Sequence, residues 1–270
     1  MDLGLAGAAV VVSGGSKGMG RAAAECFASD GARVAVLARG KEALAATVGA
    51  LHELGSPEAF GISVDLTDDP SVDGAFREIG DRWPTVNALV NAAGPVDVGV
   101  GPFDGLDDDA WQATFSIGTL SAVRCVRAAL PLLRAAEWAR VVNVSAHSTK
   151  RQSPGLVAYT ASKAALTSVS KNLSQALARD GILVNTVSPG SFLTEGLKGY
   201  LRGLPPERGV DPDNLHDAMR VIEQDFGHPA YMGRAGDPGE IGPVIAFLAS
   251  RVNSYMTGAD VNVDGGSDFT

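Results

Sequence analysis

Seven short apolar runs, separated by longer amphipathic stretches, constrain this chain more than any other feature. They span 8–13 (AAVVVS), 33–38 (RVAVLA), 59–64, 88–91, 140–144, 182–187 and 260–263. Most are nearly continuous in Val, Ile, Leu and Ala, which suits strands covered on both faces and hence a parallel sheet. Helical stretches such as 20–29, 41–54, 110–133 and 159–178 lie between them. This alternation predicts an α/β fold: a Rossmann-type doubly wound sheet of about seven mostly parallel strands, with helices on both faces. The 270 residues read as one domain without repeat or linker. One compositional break, 193–236, is rich in Gly, Pro, Asp and Arg, with a helical fragment near 213–226. It reads as a lid over a site rather than a disordered insertion, since long segments in compact domains are usually functional.

The first run ends in Ser13-Gly14-Gly15-Ser16-Lys17-Gly18-Met19-Gly20 and passes into a helix. Glycines at a strand-to-helix turn let backbone N–H groups approach a pyrophosphate, and the helix points its positive end at the same anion. The letters from Gly14 to Gly18 also fit a hydrolase nucleophile elbow, with Ser16 as nucleophile. An elbow needs earlier strands to build its oxyanion hole, and this loop follows the first strand. A formal net charge of -9 argues against nucleic acid as a partner. Cys26 and Cys125 lie in apolar helical contexts, reading as buried reduced thiols, and no Cys/His spacing suggests a metal site. No run approaches the roughly 18 apolar residues a membrane span needs, and the start of the chain lacks a leader pattern. A cytoplasmic protein with no membrane partner is expected.

The spacing Gly14-x-x-x-Gly18-x-Gly20, Asn91-Ala92-Ala93-Gly94, Tyr159-Thr160-Ala161-Ser162-Lys163 and Ser188-Pro189-Gly190 followed by Thr194 occur in order along the chain. Together they resemble the short-chain dehydrogenase/reductase family in its single-domain form, from about residue 5 to Gly266. The resemblance implies hydride transfer between a nicotinamide dinucleotide and a carbonyl or secondary alcohol. It also implies a homotetramer or homodimer. Cofactor contacts are then expected from Gly14, Ser16, Lys17, Gly18, Met19, Gly20, Arg39, Asp65, Leu66, Asn91, Ala92, Gly94, Tyr159, Lys163, Pro189, Gly190, Phe192 and Thr194. Tyr159 and Lys163, four apart on a helix, share a face. A free phenol titrates near 10, and a neighbouring ammonium together with the oxidised nicotinamide ring is expected to lower that value toward working range. The resemblance also puts Lys163 on the nicotinamide ribose.

Charge bears on the cofactor. NAD-using relatives carry an acid at the end of the second strand, where this chain has Ala38 followed by Arg39. With Lys17 in the glycine loop, two cations and no carboxylate suit a 2′-phosphate, so NADP(H) is favoured over NAD(H).

Two positions depart from the family pattern. The usual serine thirteen residues before the tyrosine is Ala146. Ser148 is the better substitute if the chain stays extended, because i and i+2 project to the same side; Ser145 serves if it bulges. The usual asparagine of the preceding long helix is Gly118. These departures keep open a dinucleotide-binding module with weak or no redox chemistry. The same tyrosine also admits isomerase or dehydratase chemistry. Phe192, Leu193, Leu197, Tyr200, Phe226, Tyr231 and Met232 of the lid suggest a bulky, partly apolar substrate, and His147, close to the expected active site, reads as a solvent-facing loop residue in preference to a substrate contact.

Overall fold

The computed structural model describes residues 2–95 and 98–267. The apolar runs form β1 (Ala9–Ser13), β2 (Arg33–Ala38), β3 (Ala59–Ser63), β4 (Ala88–Asn91), β5 (Ala139–Val144), β6 (Ile182–Pro189) and β7 (Asp260–Val263). They make one seven-stranded sheet in the order β3-β2-β1-β4-β5-β6-β7. All pairings are parallel. β1 and β5 are buried at every residue, whereas β3 at the edge alternates after its first two residues. That difference explains why the central strands read as continuous apolar runs.

Helices α1 (Gly18–Ser29), α2 (Lys41–Glu53) and α9 (Pro238–Leu248) cover one face; α3 (Asp69–Arg82), α5 (Ser121–Arg134) and α6 (Val157–Ala176) cover the other. The two-residue period of a strand divides the core accordingly. Val10 and Val12 face Phe27, Ile241 and Ile245, while Ala9 and Val11 face Val72, Phe76 and Ile79. Burying one such large side chain contributes about 1.5–3 kcal/mol. A polar chain crosses the sheet beneath the site: Ser13 Oγ donates to Asn91 Oδ1, Asn91 Nδ2 to Asn143 Oδ1, and Asn143 Nδ2 to Ser170 Oγ.

Helix α4 (Asp108–Phe115) continues through a π-helical turn, Ser116–Leu120, into α5. Contrary to the expectation from sequence, Asp108–Arg134 is long and apolar enough to cross a membrane by length and composition, with a window hydropathy of 1.3. Within the fold, 44% of that window is buried. Its apolar stripe packs on α3, α6 and the sheet. The segment 193–236 holds α7 (Glu195–Arg202) and α8 (Leu215–Phe226) around a small core of Leu193, Leu201, Ala218, Met219, Val221, Ala230 and Ala235.

Candidate active site

The strand order reverses between β1 and β4, and at such a point the loops leaving the carboxyl ends diverge to open a crevice. The glycine loop leaves β1 there. Gly14 has φ +71, and a Cβ on it would stand 2.6 Å from the backbone nitrogen of Ala93. A Cβ on Gly20 would lie 2.5 Å from the Gly14 carbonyl oxygen. Only glycine permits this packing against Ala92 and Ala93. No side chain caps the start of α1. The first-turn N–H groups are therefore left to an anion. Lys17 and Arg39 are exposed, and neither forms an ion pair among the described residues. This cradle fits a dinucleotide phosphate.

The remaining expected contacts surround the crevice. Asp65 accepts from the N–H and hydroxyl of Thr67, which holds its carboxyl below the usual range, and Arg39 adds to that effect. The Leu66 carbonyl is held by Arg124. Thr194 approaches Gly18 and caps α7 through its hydroxyl, while the Phe192 ring lies against Gly236. Ser16 is tied through its carbonyl to Thr47 of α2, and Met19 packs on the core under the loop. The Asn91 expectation needs correction. Its amide is committed to Ser13 and Asn143 inside the sheet, leaving only its backbone to face a cofactor.

Tyr159 and Lys163 sit on α6 next to the end of β5. Lys163 is 3% exposed and donates from Nζ to the Val144 carbonyl at 2.8 Å. Gly94 is its other neighbour: a Cβ there would be 3.1 Å from the amine. Burial pulls the Lys163 ammonium from 10.5 down to about 8 and pushes the Tyr159 phenol up to about 12. The expected lowering joins the Lys163 ammonium to an oxidised nicotinamide ring; in the protein alone burial moves the phenol the other way. Desolvation of the phenolate is the cause of that rise.

The serine expectations also change. Ser145 Oγ donates to the Lys163 carbonyl at 3.1 Å and bonds Thr167 at 2.8 Å, so it faces the body of α6 and is corrected as a substrate contact. Past Ala146 the chain does not stay extended but enters a 3-10 turn at His147–Thr149. The alternation argument for Ser148 therefore fails. Its hydroxyl is nevertheless buried beside α6, accepts from Thr160 Oγ1 at 3.2 Å, and keeps its own hydrogen to donate. Thr160 escaped sequence reasoning because nothing local links it to residue 148. His147 is buried rather than solvent-facing, at 6% exposure. Gly118 lies in the π-helical turn, and a Cβ there would collide with Ser162 Oγ. A larger side chain at this position would therefore be obstructed.

Residues 14–268 match the family profile described as enoyl-(acyl carrier protein) reductase. An oxidoreductase of Bacillus subtilis (strain 168) is 31% identical over 98% of this chain and 98% of its own length. The chain belongs to the short-chain dehydrogenase/reductase family. A sorbitol dehydrogenase of Cereibacter sphaeroides is another relative in it, 30% identical over 97% of this chain and 98% of its own. Among solved short-chain dehydrogenase/reductase structures, L-sorbose reductase from Gluconobacter frateurii, complexed with NADPH and L-sorbose, superimposes with a TM-score of 0.91. That alignment covers 100% of both chains at 27% identity. The protein is an oxidoreductase of this family.

Proposed function

We propose that the protein is an NADP(H)-dependent reductase or dehydrogenase that interconverts a ketone and a secondary alcohol on a small, polar, polyol-like substrate. The carrying observation is the pair Tyr159 and buried Lys163, one helical turn apart beside a phosphate cradle whose cations Lys17 and Arg39 form no ion pair among the described residues. A bound nicotinamide dinucleotide supplies the hydride and accepts it in reverse. Tyr159, with a phenol near 12, holds its proton at neutral pH and gives it to the oxygen of the reduced carbonyl. Lys163 stands behind it, able to reach a ribose on the Gly94 side. Ser148 donates its remaining hydrogen to the substrate oxygen.

The lid does not argue for a bulky substrate as strongly as its composition suggests. Leu193 and Leu197 belong to its own core, Phe192 covers Gly236, and Tyr200 donates to Asp225. The names of the sorbitol and L-sorbose enzymes support the polyol-like class. We also infer that the lid 193–236 covers the substrate and that the protein assembles as a homotetramer or homodimer, which sedimentation would check.

The test is steady-state kinetics on a panel of ketoses and polyols with NADPH and NADH at matched concentrations. The expected result is turnover that favours NADPH and falls by a factor of about 100 or more in Tyr159→Phe, with NADPH affinity nearly unchanged. Equal or better use of NADH overturns the cofactor assignment. Tight NADPH binding without turnover of any carbonyl favours the second reading, a dinucleotide-binding module, which Ala146 and Gly118 motivate.

A further inference from the structure

Two buried histidines meet beside this site and no step above uses them. His147 opens the turn that follows Ala146; His228 lies 81 positions later in the lid, just after α8. Their rings are packed edge to face with centroids 4.8 Å apart. His228 is 2% exposed and its Nε2 has no hydrogen-bond partner among the described residues, although the backbone of Arg151 and Gln152 reaches the ring. His147 Nδ1 lies 3.1 Å from the carbonyl oxygen of Pro189. A carbonyl only accepts, so Nδ1 carries the hydrogen and donates it.

Pro189 ends β6 and starts the loop to Thr194. That loop has little room to adjust. Gly190 donates to the Val263 carbonyl, and a Cβ on it would stand 2.7 Å from Asp264 Cα. At the far end, Leu193 donates to the Gly236 carbonyl, where the lid returns to the sheet. The turn bearing His147 is clamped as well. Arg151 donates to the Ser267 carbonyl, and Lys150 pairs with Asp260. Among the described residues, the His147 ring links this fixed turn to the Pro189 carbonyl, and His228 packs against that ring.

We propose that His147 is a positioning residue that sets the 189–194 loop for dinucleotide binding, and that His228 couples the seating of the lid to it. The proposal rests on the dinucleotide-dependent reading above. Bringing the lid down presses His228 on the His147 ring, which holds Nδ1–H on the Pro189 carbonyl. Conversely, a ligand that orders the loop favours the seated lid, because coupling between two sites is reciprocal.

The experiment compares His147→Phe, His147→Asn and His228→Ala with the wild type in the full chain. Phe keeps the ring but has no donor; Asn restores an N–H close to the Nδ1 position without a ring. Two readouts are taken, NADPH affinity by fluorescence titration and the rate of tryptic cleavage at the exposed Arg202 that ends α7, with and without NADPH. Loss of one neutral hydrogen bond predicts NADPH binding weakened roughly 10-fold in His147→Phe, and within about 2-fold of wild type in His147→Asn. NADPH is expected to slow lid cleavage in wild type and much less in His228→Ala. Thermal unfolding of each variant accompanies these measurements, since a purely structural role would move the melting temperature and leave NADPH affinity alone. Unchanged affinity in His147→Phe, or equal NADPH protection in His228→Ala, overturns the proposal. Absence of turnover with wild type that still binds NADPH would instead overturn the reductase reading and leave this one standing. Absence of NADPH binding in wild type defeats both.

Discussion

Replacing Lys163 with methionine tests the electrostatics of the site through stability alone, without a substrate. The amine is almost fully enclosed, and burial lowers its pKa from 10.5 to about 8. Unfolding returns it to water and to an ordinary value. Between pH 8 and 10.5 the unfolded chain therefore holds a proton that the folded chain has released, so this group makes stability rise with pH across that window. Below pH 8 its penalty is fully present. The interval from 10.5 to about 8, at about 1.4 kcal/mol per pH unit, amounts to about 3 kcal/mol. Methionine has no such dependence. The lost bond to the Val144 carbonyl costs about 1–3 kcal/mol, but independently of pH. Tyr159, held near 12, lowers stability above pH 10 in both proteins and cancels in the comparison. Urea unfolding followed by tryptophan fluorescence at pH 7 and 9.5 reads the effect. The wild type is expected to gain about 2 kcal/mol on the methionine variant over this range. Parallel stability profiles would mean that the ammonium is solvated or paired, and the reasoning about the site would fail.

Other consequences can be measured separately. Gly14→Ala, which forces a Cβ against the Ala93 backbone at positive φ, should abolish detectable dinucleotide binding or reduce it by an order of magnitude in a fluorescence titration. Ser148→Ala should lower kcat by about 100-fold, while Ser145→Ala should leave kcat within a few-fold and cost about 1 kcal/mol in denaturant unfolding. Gly118→Asn should destabilise the protein by about 1–3 kcal/mol through its collision with Ser162, and Ser162→Gly in the same chain should recover much of that loss. Lys17→Ala with Arg39→Ala should weaken NADPH binding at least 10-fold and leave NADH binding little changed, as read by paired titrations.

The strands and the glycine loop were legible because their causes are local. A strand buried on both faces has to be apolar throughout, and a loop that packs its backbone against Ala93 has to lack side chains. The spacing of Tyr159 and Lys163 is legible for the same reason, since helical geometry alone puts them on one face. Asp108–Arg134 shows the limit of local reading: its apolar stripe answers to α3, α6 and the sheet, and the sequence names none of these neighbours. The segment 193–236 reads as an irregular break because its apolar residues serve a small core assembled from two helices and the returning chain.

Tertiary structure alone decided the chemistry around the pair. How a phenol and an amine titrate depends on how much water each loses, and in the protein alone burial raises Tyr159 and lowers Lys163, the amine that β5 and Gly94 enclose. The roles of Ser145 and Ser148 depend on a single turn of 3-10 helix that no propensity announces. His147 meets His228 only because the 193–236 segment folds back beside the turn that follows β5. Periodicity specifies which face of an element is apolar; burial and contact between distant segments arise only when the faces have closed on one another.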